Sequence, residues 1–219
     1  MIFYPNIINL KTKNMIYIDI ETIPSPTMPS MDELKVPGNI SKPETIEKWK
    51  QENQESEWRK EALNSLKGQI VCIGYAVDDD DITIITGIER EIIEYFADVV
   101  KANSRHELCG HHVLGFDIPF IFHKMLKYGI RPPLQFLTDK HSMIIDTNKI
   151  FNPYSYKEFY SLKSLAEFFG IEKDNSTGGA DVFDLWKAGN IEAIKDHCRD
   201  DVRVTREVYK RINFYYENK

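Results

Sequence analysis

The run Met15-Ile-Tyr-Ile-Asp-Ile-Glu-Thr places two carboxylates inside an apolar segment, and this most constrains how the chain can fold. Its β-branched and aromatic residues predict a buried strand. Alternate side chains of a strand point the same way, so Asp19 and Glu21 share one face. Burying two like charges is costly unless a cation offsets their repulsion, and Mg²⁺ and Mn²⁺ prefer carboxylate oxygens. The run therefore predicts a divalent-metal site. The alternative is that one carboxylate caps a turn while the other is solvated at the strand end.

Alternating strands and helices are predicted after this first strand. Apolar runs predict strands near 69–77, 82–86, 107–113 and 143–147, and amphipathic spacing predicts helices near 89–102, 118–128, 161–170, 181–187 and 191–216. This order predicts an α/β fold with a mixed sheet and helices on both of its faces. The chain length suits a single domain with a sizeable core.

The domain boundaries follow from local composition. We expect residues 1–14 to be an N-terminal extension and residues 15–219 to form one domain. A polar, partly helical insertion is expected at about 24–68. Its tryptophans, Trp49 and Trp58, are interpreted as exposed, and they motivate the hypothesis of a lid or a partner-docking arm.

Charge and cysteine content limit the class of protein. The net charge of −6 argues against a generally basic protein that coats nucleic acid, although an acidic enzyme can bind a polyanion through local basic patches and metal ions. The three scattered cysteines predict no disulfide framework and fit a reducing cytoplasmic location. No apolar run is long enough to span a bilayer, and no signal peptide is expected.

Two further acidic positions carry chemical information. Asp117 follows a glycine-bearing loop at the start of a predicted helix, where a plain helix-capping aspartate is the alternative. His197 and Asp201 are four residues apart and share a helix face. The neighbouring residues Asp196, Asp200 and Arg203 are interpreted as a solvated charged face.

The ordered pattern D-x-E, then D, then H-x-x-x-D resembles the DEDD superfamily of 3′–5′ exonucleases. The likeness is to the proofreading-exonuclease domain of family-B DNA polymerases and its stand-alone relatives, and it covers roughly residues 15–212. Its supporting phrases are Asp-Ile-Glu-Thr-Ile-Pro (19–24), Gly-Gln-Ile-Val-Cys-Ile-Gly (68–74), Gly-Phe-Asp-Ile-Pro-Phe (115–120), Ser-Leu-Lys-Ser-Leu-Ala (161–166) and Asp-Val-Arg-Val-Thr (201–205). The resemblance implies a ribonuclease-H-like fold.

The resemblance also implies a site and a reaction. Asp19, Glu21, Asp117 and Asp201 would hold two divalent ions, Mg²⁺ or Mn²⁺, as catalytic carboxylates. The expected reaction is hydrolysis of phosphodiester bonds at the 3′ end of a nucleic acid, with release of nucleoside 5′-monophosphates. Single-stranded DNA is the expected substrate and RNA the alternative, and a replication or repair protein is a candidate partner. A nucleic-acid-binding or interaction domain with weakened catalysis is the alternative from another class.

The chain departs from the family pattern at two histidines. His197 stands where the polymerase-like branch has tyrosine, so the spacing belongs to the tyrosine branch while the residue belongs to the histidine branch. Histidine can accept a proton near neutral pH, and we predict that His197 acts as the general base or orients the attacking water; a polar surface residue is the alternative. His112 replaces an asparagine of the family motif. Together with Thr22 and Phe116, it is a predicted substrate-binding residue, and core packing is the alternative for Phe116.

Basic residues on and after the Asp117 helix are candidates for guiding the nucleic-acid backbone. Lys124, Lys127 and Arg131 follow or lie on this helix. A solvated helix face is the preferred interpretation for all three.

Overall fold

The computed structural model describes residues 14–137, 143–155, 158–174 and 178–217. Within these ranges, five strands form one sheet in the order β3-β2-β1-β4-β5. The strands are β1 (Met15–Ile23), β2 (Gln69–Val77), β3 (Thr83–Thr86), β4 (Glu107–Gly110) and β5 (Ile144–Asp146). β1 is antiparallel to β2 and parallel to β4, and β4 is parallel to β5. The predicted mixed sheet is confirmed. The predicted extension 1–14 lies outside the described residues except for its last residue.

Helices cover both faces of the sheet, as predicted. They are α1 (Pro43–Lys60), α2 (Glu89–Ala102), α3 (Asp117–Tyr128), α4 (Leu134–Leu137), α5 (Thr147–Phe151), α6 (Leu162–Phe169), α7 (Val182–Lys187) and α8 (Ile191–Glu217). Short 3₁₀ turns occupy 31–33, 61–63 and 179–181. None of the helices in the described ranges is long and apolar enough to cross a membrane.

The alternation of side chains along β1 decides which face receives the carboxylates. Three of its residues belong to the core that the sheet forms with α2 and α3: Ile16, Ile18 and Ile20. Tyr17 points to the opposite face and packs on Tyr209 of α8, with ring centroids 5.9 Å apart. Because side chains alternate between the two faces along a strand, Asp19 and Glu21 lie on the same face as Tyr17, towards α8. The central strand therefore brings its two acids towards the long C-terminal helix.

A glycine in β2 lets α8 approach the sheet closely. Gly74 pairs with Asp19, and a Cβ atom at position 74 would lie 2.8 Å from Cys198 Sγ and 2.9 Å from Val202 Cγ2. Both distances are too short for real contacts, so a larger residue would push the helix away. This close approach sets the distance between β1 and the side chains of α8.

The insertion at 24–68 packs against α7, and its tryptophans are half-buried rather than exposed as predicted. The Trp58 indole donates to the Ser25 carbonyl at 2.9 Å and meets Phe183 edge to face at 5.0 Å. The Arg59 guanidinium donates to both carboxylate oxygens of Asp184, at 2.9 and 2.8 Å. These contacts fix the end of α1 on the domain. The lid or docking-arm hypothesis stays a prediction.

Lys124 is buried, so the interpretation as a solvated residue is wrong at this position. Its side chain is 2% exposed, its ammonium donates to the Gly68 carbonyl, and Glu89 Oε1 lies 3.6 Å away. Glu89 in turn accepts a hydrogen bond from the Ile70 amide at 2.8 Å. Lys127 has a half-exposed side chain and lies 3.5 Å from Glu89. Lys124 thus supports the loop before β2 from inside the domain.

Candidate active site

The two carboxylates of β1 form the centre of the site. Donor atoms of Asp19, Glu21 and Cys198 all lie within 4.8 Å of one another. Burial raises the pKa of Asp19 and of Glu21 well above the ordinary range, and the neighbouring carboxylates raise both further. Asp19 Oδ2 is buried and has no hydrogen-bond partner among the described residues. Such an oxygen is costly to leave unpaired, so this position favours a cation.

Asp117 reaches the same centre from α3. It is the first residue of this helix, and its Oδ1 accepts a hydrogen bond from the Ile20 amide of β1 at 3.2 Å. The alternative of a plain helix cap is therefore wrong, because Phe116 occupies the capping position. Burial raises the pKa of Asp117 to about 8, and the charges of Asp146 and Asp201 add to this shift. The carboxyl is held between β1 and α8 rather than in solvent.

Helix α8 contributes His197 and Asp201 from one face, as their spacing predicts. His197 Nε2 lies 3.4 Å from Glu21 Oε1, and Nδ1 lies 4.0 Å from Asp201 Oδ1. The imidazole is 8% exposed, so it is not a surface residue. Both ring nitrogens face carboxylates that are candidate metal ligands. The proposed general-base role of His197 stays a prediction.

Lys173 is a member of the site that sequence reasoning missed. Its ammonium forms an ion pair with Asp201 Oδ1 and lies 3.5 Å from Asp200 Oδ2, with only 9% of the side chain exposed. The residue lies 28 positions before Asp201, in the segment after α6. No local spacing connects the two residues, so the sequence carried no signal for this pair.

The segment with Lys173 also overturns the interpretation of Asp200 as part of a solvated face, whereas the Arg203 side chain is partly exposed. Asp200 is 14% exposed, accepts a hydrogen bond from the Asp174 amide at 3.0 Å and pairs with Arg203 at 2.6 Å. The Arg203 guanidinium also donates to the Glu172 carbonyl at 2.5 Å. These bonds hold residues 172–174 beside the part of α8 that carries Asp200 and Asp201.

Asp146 is a second missed residue, and it organises the loop before Asp117. Its carboxylate accepts hydrogen bonds from three amides: His112 at 3.0 Å, Leu114 at 3.2 Å and Asn148 at 3.1 Å. The residue is 2% exposed at the end of β5. The sequence offered one signal for this role, because an acidic residue between a predicted strand and a helix often caps the helix. Asp146 fixes the loop backbone and, through it, the start of α3.

The backbone of this loop depends on His112 and Gly115. His112 adopts the left-handed conformation with φ of 56°, which is uncommon for a residue with a side chain. A Cβ atom at Gly115 would lie 2.5 Å from the His112 ring, so this position requires glycine while the ring keeps its place. The turn also ends β4 at Gly110, three residues before the end predicted from the sequence.

The predicted substrate-binding residues lie around this centre, and their roles stay predictions. The Thr22 hydroxyl donates to the Ala62 carbonyl at 2.7 Å, which ties the insertion to β1. The Phe116 ring is half-buried and lies 5.4 Å from the Phe120 ring. His112 has an exposed side chain at the edge of the site.

The donor set fits a hard divalent cation. Asp19 and Glu21 would ligate it first, because their oxygens are close together and one of them lacks any partner. Asp201 could join them once its oxygen is released from Lys173, and Asp117 faces the same space. Burial raises the pKa of Cys198, so its side chain stays a thiol. This thiol donates to the Asp19 backbone carbonyl at 3.6 Å.

Comparisons with known proteins agree with this geometry. A sequence model of the RNase H superfamily matches residues 60–213. The chain is 25% identical to a DNA polymerase of Archaeoglobus fulgidus over 160 residues, which cover 67% of this chain and 20% of that protein. It is 22% identical to a DNA polymerase of Thermococcus litoralis over 176 residues, which cover 67% of this chain and 10% of that protein.

A solved structure has the same fold. The family B DNA polymerase of Pyrobaculum calidifontis superposes with a TM-score of 0.61 and 17% identity, over 91% of this chain and 24% of that chain. The chain spans about a quarter or less of the length of each of these relatives. Together with the β3-β2-β1-β4-β5 sheet and the clustered acids, the match is consistent with a DEDD exonuclease-like domain, and the chain belongs to the RNase H superfamily.

Proposed function

We propose that this protein is a metal-dependent 3′–5′ exonuclease that removes nucleoside 5′-monophosphates from single-stranded DNA. One observation carries the proposal: four carboxylates from three separate elements converge at the carboxyl end of β1. They are Asp19 and Glu21 of β1, Asp117 of α3 and Asp201 of α8. A binding domain has no physical need for such a cluster, because its repulsion destabilises the fold and opposes a polyanionic strand.

Divalent ions supply what the cluster lacks. When bound, two such ions neutralise the phosphate oxygens, activate a water and stabilise the leaving 3′ oxygen. Asp19, Glu21, Asp117 and Asp201 would hold them, and the buried, unpaired Asp19 Oδ2 supports this assignment. The chain itself fixes the ligands through the Ile20 amide on Asp117 and through the packing of α8 on Gly74.

His197 is assigned the proton-accepting or water-orienting role. The imidazole lies 3.4 Å from Glu21 and 4.0 Å from Asp201, beside two of the four carboxylates. A His197→Ala variant should lose most of its turnover and keep its fold, and His197→Tyr, the residue of the resembled branch, should retain more activity than His197→Ala. Near-wild-type turnover in His197→Ala would refute this role.

The proposal is tested by degradation of 5′-labelled single-stranded DNA and RNA of matched sequence. The reactions contain Mg²⁺ or Mn²⁺, with EDTA and the Asp19→Ala variant as controls. We expect a metal-dependent ladder that shortens from the 3′ end, with DNA degraded faster. Faster cleavage of RNA would make the protein an exoribonuclease.

The absence of products would change the conclusion. If the folded protein bound single strands but released no nucleotide with either metal, it would be a nucleic-acid-binding domain with a weakened site. The ion pair of Lys173 with Asp201 would then be the first contact to remove, because it competes with a metal for one of the four acids.

A further inference from the structure

Phe159 presents an exposed aromatic ring at the edge of the site. Its side chain is 56% exposed, although it is one of the larger apolar side chains of the domain. Its ring meets the His112 ring edge to face, with centroids 4.9 Å apart, and lies 5.9 Å from the His111 ring. His112 is itself exposed. Two neighbouring rings are thus open to solvent beside the loop that leads to Asp117.

The backbone next to Phe159 is fixed by buried groups. The Tyr160 amide donates to Asn148 Oδ1 at 3.0 Å, and His111 Nε2 lies 2.8 Å from the Tyr160 carbonyl. Asn148 is 8% exposed, and its own amide donates to Asp146. The exposure of the Phe159 ring is therefore a property of an anchored position rather than of a loose segment.

The same network ties this ring pair to the candidate metal ligands. Asp146 accepts from the His112 amide as well as from Asn148, so one carboxylate fixes both sides of the ring pair. The loop from His112 runs directly into Asp117. His112 lies five residues before Asp117, so the exposed ring pair belongs to the loop that leads into the carboxylate cluster.

We propose that Phe159 and His112 form a stacking platform for a base of the substrate strand, an inference that rests on the proposed function. Bases stack on aromatic side chains with little sequence preference, and this suits a nuclease that must process any sequence. The platform assigns Phe159 a substrate-binding role that the family motifs did not indicate.

The test measures DNA binding for protein variants and for DNA that lacks single bases, and asks whether the two kinds of change affect the same contact. Fluorescently labelled 12-nucleotide single-stranded DNA is titrated with the full chain in Ca²⁺, and gel analysis verifies that the DNA stays intact. Three further probes carry an abasic site at the last, second-last or third-last nucleotide. The proteins are wild type, Phe159→Ala, Phe159→Tyr and the control Tyr95→Ala, which removes another half-exposed ring from α2.

We expect Phe159→Ala to bind the intact strand about tenfold more weakly, which corresponds to about 1.4 kcal/mol. This loss should disappear for one of the abasic probes, because the base that stacks is then already missing. Phe159→Tyr and Tyr95→Ala should bind like the wild type, and circular dichroism should show all variants folded.

Three results would overturn the platform, and only the last also overturns the proposed nuclease. If the wild type degrades DNA but Phe159→Ala binds every probe as the wild type does, the platform is wrong and the proposed function stands. An equal loss for the intact and all abasic probes would also refute stacking. If the wild type neither binds nor degrades single strands, both proposals fail.

Discussion

Asp117 is a buried carboxyl whose removal should stabilise the metal-free protein. The folded state raises its pKa from 3.8 to about 8 because burial disfavours the charged form. At pH 7 the unfolded chain has released this proton while the folded chain keeps it. Because pH 7 lies about three units above the unfolded pKa of 3.8 and below the folded pKa, this mismatch lowers the free energy of unfolding by about 4 kcal/mol relative to acidic pH, at 1.36 kcal/mol per unit.

The sign of the pH dependence follows from the same shift. The folded state binds more protons than the unfolded state between about pH 4 and 8, so stability falls as pH rises through this window. Asp117→Asn needs no proton and keeps an oxygen to accept from the Ile20 amide. Its stability gain over the wild type in EDTA should therefore grow by up to about 1.4 kcal/mol per pH unit between about pH 5 and 8.

Asp146→Asn is a contrasting variant, since Asp146 is an equally buried carboxylate in the same region but has hydrogen-bond donors, and its charge itself contributes to the raised pKa of Asp117. It accepts three backbone amides, and the amide substitution weakens this set, so we expect a loss of about 1–3 kcal/mol. Urea unfolding followed by tryptophan fluorescence in EDTA, at half-unit steps from pH 5.5 to 8, measures both variants. The reasoning is refuted if Asp117→Asn destabilises the protein or if its effect does not change with pH.

Three other perturbations probe the same site. Mg²⁺ should raise the melting temperature more at pH 8 than at pH 6, because Asp19 and Glu21 have raised pKa values and must lose protons to bind it; calorimetry with and without EDTA measures the difference. Lys173→Met should destabilise the protein in EDTA by about 1–3 kcal/mol and enlarge the Mg²⁺ effect, since the acids around it lose their cation. Gly115→Ala should displace the His112 ring and weaken DNA binding, with less than about 1 kcal/mol lost in urea unfolding.

Substitutions at exposed positions serve as controls for nonspecific loss of stability or binding. Lys195→Met removes a lysine of α8 that pairs with the exposed Glu192, and it should leave both stability and the Mg²⁺ effect nearly unchanged. Gly38→Ala adds a Cβ atom where no atom lies within 4 Å, and it should bind DNA like the wild type. If Lys195→Met behaves like Lys173→Met, the contacts of Lys173 do not explain the change in stability and in the Mg²⁺ effect. If Gly38→Ala behaves like Gly115→Ala, the contact between Gly115 and His112 does not explain the weaker DNA binding.

The sequence predicted those parts of the site that depend on regular local geometry. The period of two in β1 put Asp19 and Glu21 on one face, and the spacing of four put His197 and Asp201 on one side of α8. Both follow from residues within one element. The mixed sheet with helices on both faces also followed from the order of apolar runs.

Contacts between segments that are distant in sequence could not be predicted in this way. Lys173 reaches Asp201 across 28 residues, and the Lys124 ammonium reaches the Gly68 carbonyl across 56. A lysine on an amphipathic helix is normally solvated, and only the docking of a second segment makes a buried position possible. Local periodicity contains no information about such docking. It therefore predicts a solvated position for Lys124 and makes no prediction for Lys173.

Buried carboxylates elsewhere in the chain show why the cluster on β1 indicates a ligand. Glu89 is 8% exposed and accepts hydrogen bonds from the Ile70 amide and the Tyr128 hydroxyl, with Lys124 nearby as counter-charge. Asp146 has its three amides. The fold therefore provides partners for a buried acid where the acid is structural. At Asp19 it provides none for Oδ2, while three other acids raise the repulsion. The difference is explained if the missing partner is a cation that arrives from solution, and the pH-dependent Mg²⁺ effect measures that cation directly.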